Sequence, residues 1–540
     1  MRNTYLLLLG LSFSVAFGQG QLINLNNIYC NVSPNGSLFQ NENAWALCNI
    51  KDASFNSVMF TGHLWLAAIE NNNLYTATQD YYLAQDLNYG ASDFHFGPVA
   101  NDQNLSAYVN RYNRVWKIDR SMIDQHIQNY NDPNYQVLNE ILEWPAHGDT
   151  NNGEAWLLAP FADLNANQEY EPLLGEYPII RGDQTIYCIF NESDRHQPRT
   201  NLSEMGFEVH LQVYAYDTTS LAALNNALFF NYRIINRSNF NYESVYASQW
   251  YDSDLGYSFD DICGSDSSLA LSYTYNADSI DGPGVGFGAN PPAVGFSLLN
   301  ANAGGAMYYN NSGGFNGPLA TTDPSLPVHW KNLMQNRWRD GSHLSLENPS
   351  GLFNLANGDG FDTSQAAIAS NWAYNDQDNW YCSPLNTGDK RQMLNVSPQA
   401  LAAGDTLCID LLLSYARDLN DGNPFAAVDK MKNEVGALQA FWQNRNFTCS
   451  ENFVNLKETA SRLQNEVYPN PFVDELNISW NSLHKGIFKL YNAQGSLMME
   501  GAISGPNASF SLKSLEAGVY LLYLQEKGSS NSQCIRLLKK

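Results

Sequence analysis

The sequence FEVHLQVY at residues 207–214 alternates apolar and polar side chains and gives the clearest indication of the fold class. Because successive side chains of a β-strand point to opposite faces, a period of two predicts a half-buried strand. Similar short apolar or aromatic runs, separated by Asn, Asp and Gly, lie at 58–69, 185–190, 227–235 and 407–415. The sequence therefore predicts a mainly β protein with a large, sandwich-like body.

One segment follows a helical period instead. After Pro424, apolar residues recur three or four positions apart, at Val428, Met431, Val435, Leu438 and Trp442. This spacing puts them on one face of a helix. We therefore expect one amphipathic helix near the C-terminal end of the body, packed against the strand at 407–415.

The composition and net charge exclude some classes of function. The chain has 540 residues, with 29 Lys and Arg against 54 Asp and Glu, for a net charge of −25. Its 44% hydrophobic and 13% aromatic content makes wholesale disorder improbable, because there is ample apolar surface to bury. The acidity argues against nucleic acid or an anionic membrane surface as the main partner. A folded acidic protein that binds cations or neutral ligands such as sugars fits the composition.

The N-terminus has the features of an export signal. Arg2 precedes an apolar run at 6–17, and Ala16-Phe17-Gly18 offers small residues for cleavage near Gly18. A membrane span needs about 20 apolar residues, so this run is too short to be an anchor. We expect residues 1–18 to be a signal peptide. No later stretch is long and apolar enough to span a bilayer, so we expect no transmembrane segment in the mature chain.

The C-terminus predicts a small separate domain. Residues 467–540 contain short strands of period two, such as the one with Leu476 and Ile478, with turns at 492–495 and 516–518. This pattern is typical of a small antiparallel sandwich. The segment also contains several short motifs, which are Tyr468-Pro469-Asn470-Pro471-Phe472, Leu490-Tyr491-Asn492-Ala493-Gln494-Gly495, Leu515-Glu516-Ala517-Gly518-Val519-Tyr520 and the basic end Lys539-Lys540.

These motifs closely resemble the type A C-terminal sorting domain of the type IX secretion system of Bacteroidetes. The resemblance implies an Ig-like sandwich that the outer-membrane translocon recognises. It also implies a surface sortase as a second partner, which commonly removes the domain and can attach the cargo to an anionic lipopolysaccharide. We therefore expect a secreted or outer-surface protein that is exported through the periplasm and outer membrane. Cys534 departs from the family, which usually has a polar or aliphatic residue there.

The body also resembles an uncharacterised type of cargo found beside this sorting domain. The similar pieces are Gly62-His63-Leu64-Trp65, Ala159-Pro160-Phe161-Ala162-Asp163, Gly175-Glu176-Tyr177-Pro178 with Gly182-Asp183-Gln184, and Asp252-Ser253-Asp254-Leu255-Gly256 with Asp260-Asp261. This second resemblance implies no activity. It supports the domain boundaries alone.

The predicted organisation is a body at 19–449, a polar connector at 450–466 and a sorting domain at 467–540. A Gly-, Asn- and Pro-rich stretch at 282–317 is either a long structured loop or a seam within the body. The charge follows these boundaries. Residues 19–466 hold 21 basic and 49 acidic residues, a net charge of −28, whereas residues 467–540 have a net charge of +2.

The eight cysteines are sparse and never form a CxxC pair. Because disulfides are allowed in an exported protein, Cys30 and Cys48 are a plausible pair. If Cys534 belongs to a removable domain, seven cysteines remain in the body, so at least one thiol is free or buried. Zinc-ligand spacing is absent.

One candidate calcium loop lies at 163–171. It places carboxylate or amide oxygens at every second residue, at Asp163, Asn165, Asn167, Glu169 and Glu171. Calcium takes six to eight oxygen ligands, and this spacing lets a tight loop turn several of them toward one ion. The loop is not an EF-hand, because Gln168 stands where that motif needs a Gly. The alternative is a polar Asx-turn loop without an ion.

A second candidate calcium loop carries Asp252, Asp254, Asp260 and Asp261, followed by Asp266. Exposed like charges 4 Å apart repel by about 1 kcal/mol, which a bound cation would turn into attraction. Nearby aromatic residues, including Trp250 and Tyr251, predict partial burial of this loop. The alternative is a solvated acidic loop at the end of a strand.

The same carboxylates leave a catalytic role open, because paired carboxylates in an aromatic cleft suit glycoside hydrolysis. No HExxH, GxSxG or GxxxxGK[ST] motif occurs. His147 is the most suggestive single histidine, and Arg181-Gly182-Asp183 matches an adhesive tripeptide, yet structural roles explain both.

The 12 tryptophans and 31 tyrosines instead suit stacking on sugar rings. We therefore favour a calcium-stabilised binding, adhesion or structural protein with a glycan or matrix ligand. The alternative is a secreted polysaccharide hydrolase.

Overall fold

The computed structural model describes residues 20–41, 45–51, 56–81, 92–193, 199–217, 221–284, 286–311, 319–341, 387–421, 423–445, 447–449, 466–470, 472–479, 486–492, 496–503, 507–513, 515–526 and 532–540. These residues belong to two compact units, which lie within Met1–Phe453 and Val454–Lys540. The predicted signal peptide at 1–18 and residues 450–465 of the predicted connector lie outside the described residues.

Strands dominate the first unit. They are β1 (Gln21–Ile23), β2 (Ile28–Val32), β3 (Cys48–Ile50), β4 (Thr61–Glu70), β5 (Asn73–Ala77), β6 (His95–Phe96), β7 (Trp116–Asp119), β8 (Gln184–Asn191), β9 (Phe207–Ala215), β10 (Ala227–Asn236), β11 (Tyr242–Asp252), β12 (Asp261–Asp266), β13 (Leu271–Asn276), β14 (Ile280–Asp281), β15 (Gly288–Ala289), β16 (Ala293–Leu298), β17 (Ala303–Asn310), β18 (Lys390–Val396), β19 (Gln399–Leu401) and β20 (Thr406–Ala416). The helices are α1 (Ser106–Tyr112), α2 (Arg120–Asn129), α3 (Asn139–Leu142), α4 (Pro327–Met334) and α5 (Pro424–Gln443).

Two large antiparallel sheets form the body. The first has the order β12-β13-β16-β20-β10-β9-β8-β6, with β7 also paired to β8. The second has the order β17-β18-β11-β4-β5, with β19 also paired to β11. One buried cluster joins side chains from both sheets, such as Leu211 and Phe230 with Leu66 and Ala247. The prediction of a mainly β, sandwich-like body is therefore confirmed.

The outer faces of the two sheets are also covered. Helix α5 packs on β20 and β16 of the first sheet, and α4 packs on β5, β11 and β18 of the second. A further cluster places residues of the segment 97–183, such as Tyr112 and Trp144, against Tyr187 and Ile189 of β8. The sandwich thus carries a layer of helices and loops on each side.

This covering overturns one expectation. The stretch at 207–214 is a strand as predicted, but it is not half-buried, because all nine residues of β9 are buried. The polar residues Glu208, His210 and Gln212 are also buried. Glu208 and His210 hydrogen-bond each other, and Oε1 of Gln212 accepts from the backbone N–H of Arg181. Alternation in the sequence marks the two faces of the strand correctly, but it cannot show that a distant segment covers the polar face.

The predicted amphipathic helix is confirmed as α5. Val428, Met431, Val435 and Leu438 are each 1% exposed or less, and they join the cluster beneath the helix. Asn423 caps the helix, because its side chain accepts a hydrogen bond from the backbone N–H of Phe425. Helices α1 to α4 are a finding that the sequence patterns did not predict.

The stretch at 282–317 crosses between the two sheets. It contains β16, which lies inside the first sheet, and β17, which forms an edge of the second. The chain does not divide into separate compact units there. The expected loop or seam is thus a crossover within one sandwich, with residues 312–318 outside the described part.

Two disulfides stabilise the body. Cys30 and Cys48 are bonded, which confirms the predicted pair, and Cys408 is bonded to Cys449. Cys188 and Cys263 are free and buried. Since the second disulfide ties β20 to the chain just after α5, it holds the C-terminal end of the body in place.

The second unit is a small antiparallel β-sandwich. Its strands are β21 (Glu466–Tyr468), β22 (Glu475–Ser479), β23 (Gly486–Asn492), β24 (Leu497–Ile503), β25 (Asn507–Ser511), β26 (Gly518–Glu526) and β27 (Ser532–Lys539). They form sheets of the order β21-β22-β25 and β24-β23-β26-β27, with Leu476, Phe488 and Leu522 in a shared core. Within the described residues of the whole chain, no helix is long and apolar enough to cross a membrane.

Candidate cation site

Strand pairing assembles the candidate site. β11 pairs with β18 in an antiparallel register that places Asp252 opposite Arg391. Asp252 is the last residue of β11, and Asp389 directly precedes β18. The end of one strand and the beginning of its neighbour therefore bring together two acidic residues that are far apart in the sequence.

Asp252, Asp254 and Asp389 form a cluster of three carboxylates. One oxygen from each lies within 4.8 Å of the other two. Two oxygens on opposite sides of one Ca²⁺ are about 4.6–5.2 Å apart, so a single ion is able to contact all three residues. We call these three residues the aspartate cluster.

The loop between β11 and β12 bends tightly to present Asp254. Asp254 has a φ of 37°, in the left-handed region that is uncommon for residues other than Gly. Gly256 has a φ of 70°, and a Cβ at that position would lie 2.0 Å from Oδ2 of Asp281. Asp281 in turn accepts hydrogen bonds from the backbone N–H groups of Tyr257 and Phe287. The tight turn at Asp254 and Gly256, together with the close packing of Asp281 against it, thus fixes the position of Asp254.

Arg391 is the cation nearest to the aspartate cluster. Its Nη2 lies 3.1 Å from Oδ2 of Asp252, and Nη1 forms an ion pair with Asp389. Arg391 also donates from Nε to the Tyr81 hydroxyl at 2.8 Å, and Tyr81 donates to Oδ2 of Asp252 at 3.1 Å. By contrast, Oδ1 of Asp252 is buried and has no hydrogen-bond partner among the described residues.

The electrostatics of the aspartate cluster disfavour its ionised form. Burial raises the pKa of Asp252 well above the usual value, and Asp254 and Asp389 raise it further, while Arg391 opposes the change. Burial and the charge of Asp389 raise the pKa of Asp254 to about 6. One guanidinium does not balance three carboxylates, so a divalent cation would bring the group to neutrality.

Asp260 and Asp261 lie beside the cluster but outside it. Oδ2 of Asp260 accepts from the backbone N–H of Gly282 at 3.2 Å, and Oδ2 of Asp261 accepts from that of Leu255 at 3.0 Å. The second oxygen of each residue is buried without a hydrogen-bond partner among the described residues. Of the four aspartates singled out in this loop, the structure therefore brings together Asp252 and Asp254 and adds Asp389.

The other predicted loop, at 163–171, directs its oxygens inward. Both carboxylate oxygens of Asp163 accept backbone N–H groups, from Asn167 and Gln168. Oδ1 of Asn165 accepts from the N–H of Asn167, and Oδ1 of Asn167 accepts from the N–H of Glu169. The amide groups of Asn165 and Asn167 donate to Oε2 of Glu171, at 2.8 and 2.7 Å. These contacts are the pattern of an Asx-turn loop.

Aromatic residues form a buried wall next to the aspartate cluster. Trp250 stacks on Trp65, with ring centroids 5.4 Å apart, and on His63 at 5.9 Å. Burial lowers the pKa of His63 to about 3, so this imidazole is neutral at ordinary pH. The wall is packed core rather than an open cleft, although Phe259 is 62% exposed.

Three residues of the site were missed by sequence reasoning, namely Asp389, Arg391 and Tyr81. A weak signal exists for Arg391, because it is a charged residue within the strand KRQMLNV, whose remaining residues after Lys390 are all buried. Nothing near Asp389 or Tyr81 links them to Asp252. The register of β11 with β18 brings Asp389 to Asp252, whereas Tyr81 follows β5, which pairs with β4 beside β11.

The two other motifs weighed in the sequence have structural roles. Nε2 of His147 accepts from the N–H of Tyr170 at 2.9 Å, and Nδ1 lies 3.2 Å from the carbonyl oxygen of Trp156. Arg181 is 4% exposed and forms an ion pair with Asp410 at 2.5 Å. A buried arginine is not available as part of an adhesive tripeptide.

The predicted sorting motifs hold the second unit together. Oδ1 of Asn470 accepts from the N–H of Leu538 at 3.0 Å, and Nζ of Lys539 donates to the carbonyl oxygen of Leu512 at 2.5 Å. Tyr520 donates to the carbonyl oxygen of Glu516 at 2.8 Å, and Gly518 begins β26. Tyr468 precedes Pro469 at the end of β21, joined to it by a cis peptide bond. Pro471 and Gly495 lie outside the described residues.

Comparison with known proteins identifies the second unit. Residues 466–537 match a family model described as a secretion system C-terminal sorting domain, so the chain is an exported protein that carries its sorting signal at the C-terminus. That domain is the sorting tail of the type IX secretion system. The protein is a type IX cargo that is secreted or displayed at the cell surface.

The body has no informative relative among these comparisons. No curated protein matches the chain. Among solved structures, a polysaccharide lyase aligns with 9% identity and a TM-score of 0.20, over 64% of this chain and 36% of the lyase. The chain thus spans about a third of the lyase's length, and a score this low supports no conclusion about fold or activity.

Proposed function

We propose that the body is a calcium-stabilised binding or adhesion protein of the cell surface, with a glycan or matrix ligand. The observation that carries the calcium part is the aspartate cluster, in which a buried carboxylate oxygen of Asp252 has no hydrogen-bond partner among the described residues. A buried acceptor without a hydrogen bond is costly, and a cation is the partner that would satisfy it.

Asp252, Asp254 and Asp389 would hold the ion. Arg391 and Tyr81 would hold Asp252 in position through their contacts with its Oδ2. Oxygen ligands and an unbalanced negative charge suit a hard cation such as Ca²⁺. A bound ion would link the end of β11 to the beginning of β18 and so stabilise the pairing of these two neighbouring strands.

The loop at 163–171 remains a second candidate for calcium, with Asp163, Asn165, Asn167, Glu169 and Glu171 as its oxygen donors. It has weaker support, because several of those oxygens already accept backbone N–H groups. An ion there would have to replace these hydrogen bonds.

A hydrolase that uses paired carboxylates is the alternative function. Retaining glycosidases place their two carboxyl groups about 5–5.5 Å apart and inverting enzymes about 6.5–9.5 Å apart. The aspartate cluster is tighter than either spacing, and Asp252 is 1% exposed. This geometry favours one ion over a sugar between the carboxylates.

The sorting domain also has proposed partners. We infer that the type IX translocon recognises the folded β-sandwich and that a surface sortase removes it. One support is the match to the sorting-domain family. The other is a pair of hydrogen bonds within the domain, in which Asn470 accepts from the N–H of Leu538 and Lys539 donates to the carbonyl oxygen of Leu512. Deleting residues 467–540 should leave the body in the periplasm, and surface display without them would contradict the proposal.

Isothermal titration calorimetry of the full chain with CaCl₂ tests the cation site. We expect saturable binding by the wild-type protein and its loss in Asp254→Asn, a substitution that suits the left-handed backbone at this position. Asp418→Asn is the matched control. It removes the same charge from an Asx turn, where Asp418 accepts a hydrogen bond from the N–H of Asn420, and it should bind calcium normally.

Two results would count against the proposal. The cation-site proposal is wrong if the wild-type protein takes up no calcium. It is also wrong if Asp254→Asn binds calcium as the wild type does. Release of reducing ends from a soluble polysaccharide, abolished by Asp254→Asn, favours the hydrolase instead.

A further inference from the structure

Trp156 offers an aromatic surface that the body does not use internally. Its side chain is 41% exposed, in a turn held by the isolated bridge between His147 and Leu157. One ring face lies on His147, with centroids 4.1 Å apart and an interplanar angle of 15°. The indole is therefore held parallel to a supporting ring while much of it faces solvent.

The supporting histidine is itself fixed. Both ring nitrogens of His147 make polar contacts within the protein, to Tyr170 and to Trp156, and the edge of Phe161 packs against it at 5.4 Å. Burial lowers the pKa of His147, so the imidazole stays neutral near neutral pH. Because the fixed imidazole holds the Trp156 indole in place, a ligand that covers the indole costs little side-chain conformational entropy. This low cost favours binding.

The groups that a ligand would need are available on Trp156. Among the described residues, no second ring and no cation stacks on the indole, and its Nε1–H has no hydrogen-bond partner. Two charged side chains lie near the supporting histidine. Arg111 donates to the carbonyl oxygen of His147, and Glu169 lies close enough to raise the pKa of that histidine.

We propose that the Trp156 indole is a subsite for a neutral polysaccharide. One sugar ring would stack on the free indole face, and the Nε1–H would donate to a hydroxyl group. Aromatic faces provide flat apolar area and tryptophan adds a polar N–H, which matches the apolar face and hydroxyl rim of a pyranose. This proposal rests on the proposed binding function but not on the aspartate cluster.

Charge and size select this class of ligand. The net charge of −28 over residues 19–466 repels an anionic polymer, and Glu169 adds to that repulsion locally. A stable protein partner needs about 800 Å² of surface on each side, far more than a single indole supplies. A neutral sugar chain needs only a stacking platform with hydrogen-bonding groups around it.

Affinity electrophoresis of the full chain tests the subsite. The gels would contain dextran, xyloglucan, hydroxyethyl cellulose or a galactomannan as neutral polymers, with alginate as the anionic comparison. We expect at least one neutral polymer to slow the wild-type protein, and Trp156→Ala to weaken that interaction by at least about tenfold. Trp156→Phe keeps a ring and should retain part of the binding.

Trp45→Ala is the matched control. Trp45 is 71% exposed, yet among the described residues no ring stacks on it, so its removal should leave the retardation unchanged. Retardation that survives Trp156→Ala, retardation by alginate alone, or no retardation by any neutral polymer would overturn the subsite. Calcium calorimetry on Trp156→Ala separates the two proposals. Trp156→Ala protein that binds calcium normally but is no longer retarded supports the subsite. Wild-type protein that binds calcium but is retarded by no neutral polymer contradicts the subsite and leaves the cation-site proposal unaffected.

Discussion

The loop at 163–171 and the aspartate cluster carry similar residues but differ in what their oxygens contact. In the loop, Asp163 and Asn167 accept backbone N–H groups from residues of the same turn. In the cluster, Oδ1 of Asp252 is buried and no donor in the described part of the chain reaches it, and the pKa values of Asp252 and Asp254 are raised. One set of oxygens is satisfied by its own backbone, whereas the other includes a buried oxygen that no donor among the described residues contacts.

This difference shows that ligand spacing in a sequence does not by itself decide a metal site. Alternating oxygens at 163–171 are also what successive Asx turns require. A site needs oxygens that the fold brings together and leaves unsatisfied, and that condition depends on burial and on strand register. The comparison can be tested by removing groups from each region in turn.

The largest effect should come from Asp252→Ala. The Arg391 side chain is 7% exposed, and of its two ion-pair partners among the described residues it would keep the partly exposed Asp389. Removing one member of a buried pair typically costs about 3–5 kcal/mol, because a charge is left buried without compensation. Urea unfolding of the variant and the wild type in calcium measures the change in the free energy of unfolding.

Asp163→Ala serves as the comparison for that experiment, because it removes a carboxylate of the same length from the exposed loop. It should cost about 1–2 kcal/mol through its two lost hydrogen bonds. If Asp252→Ala destabilised the body no more than Asp163→Ala does, the contrast between the two regions would be lost.

The sequence predicted part of this site for clear physical reasons. Asp252 and Asp254 follow a strand and crowd one short loop, so their local repulsion can be read from the sequence. Asp389 and Arg391 join them only because β18 pairs with β11, which no local pattern specifies. Long-range pairing of this kind depends on the whole fold.

The fold shows the same division between local and long-range information. The spacing of apolar residues in α5 predicted both the helix and its buried face, because the same residues that show the helical period also form that face. The period of β9 predicted the strand but not its full burial, because Val99 and Arg181 of the segment 97–183 donate backbone hydrogen bonds to Glu208 and Gln212 on its polar face. Local periodicity identifies elements and faces, whereas burial also depends on segments that are distant in the sequence.

A buried carboxylate with full partners gives the next test. Glu208 contacts His210 at 2.9 Å and Arg237 at 2.6 Å, and these contacts outweigh burial and lower its pKa to about 2. An unfolded Glu has a pKa of about 4.3, so the folded body binds fewer protons between these values. The resulting stabilisation, about 3 kcal/mol, is complete above about pH 5 and is lost as the pH falls toward 2.

Thermal unfolding between pH 2 and pH 6 measures this dependence. Glu208→Gln should flatten the acid limb of the stability curve, because the variant has no carboxylate to titrate there. An acid limb as steep in Glu208→Gln as in the wild type would show that other carboxylates control the transition.

Calcium itself should give an effect of intermediate size. At a free concentration about 100 times Kd, an ion that binds only the folded state adds about 2.7 kcal/mol to the free energy of unfolding. We expect this increase in the wild type and in Asn167→Ala, and its absence in Asp389→Asn. Melting curves with CaCl₂ and with chelator measure it, and a normal calcium response of Asp389→Asn would exclude Asp389 as a ligand.

The smallest effect should come from Asn167→Ala within the loop. The variant loses the bond from the Asn167 amide to Glu171 and the acceptor for the N–H of Glu169, both at an exposed turn. Hydrogen bonds of this kind contribute about 1 kcal/mol or less at a solvated site. If the loop is only an Asx-turn structure, this loss is the same in calcium and in chelator. A larger loss in calcium, together with one fewer bound ion in calorimetry, would instead show that the loop holds an ion, because only then does Asn167 stabilise the fold through the metal.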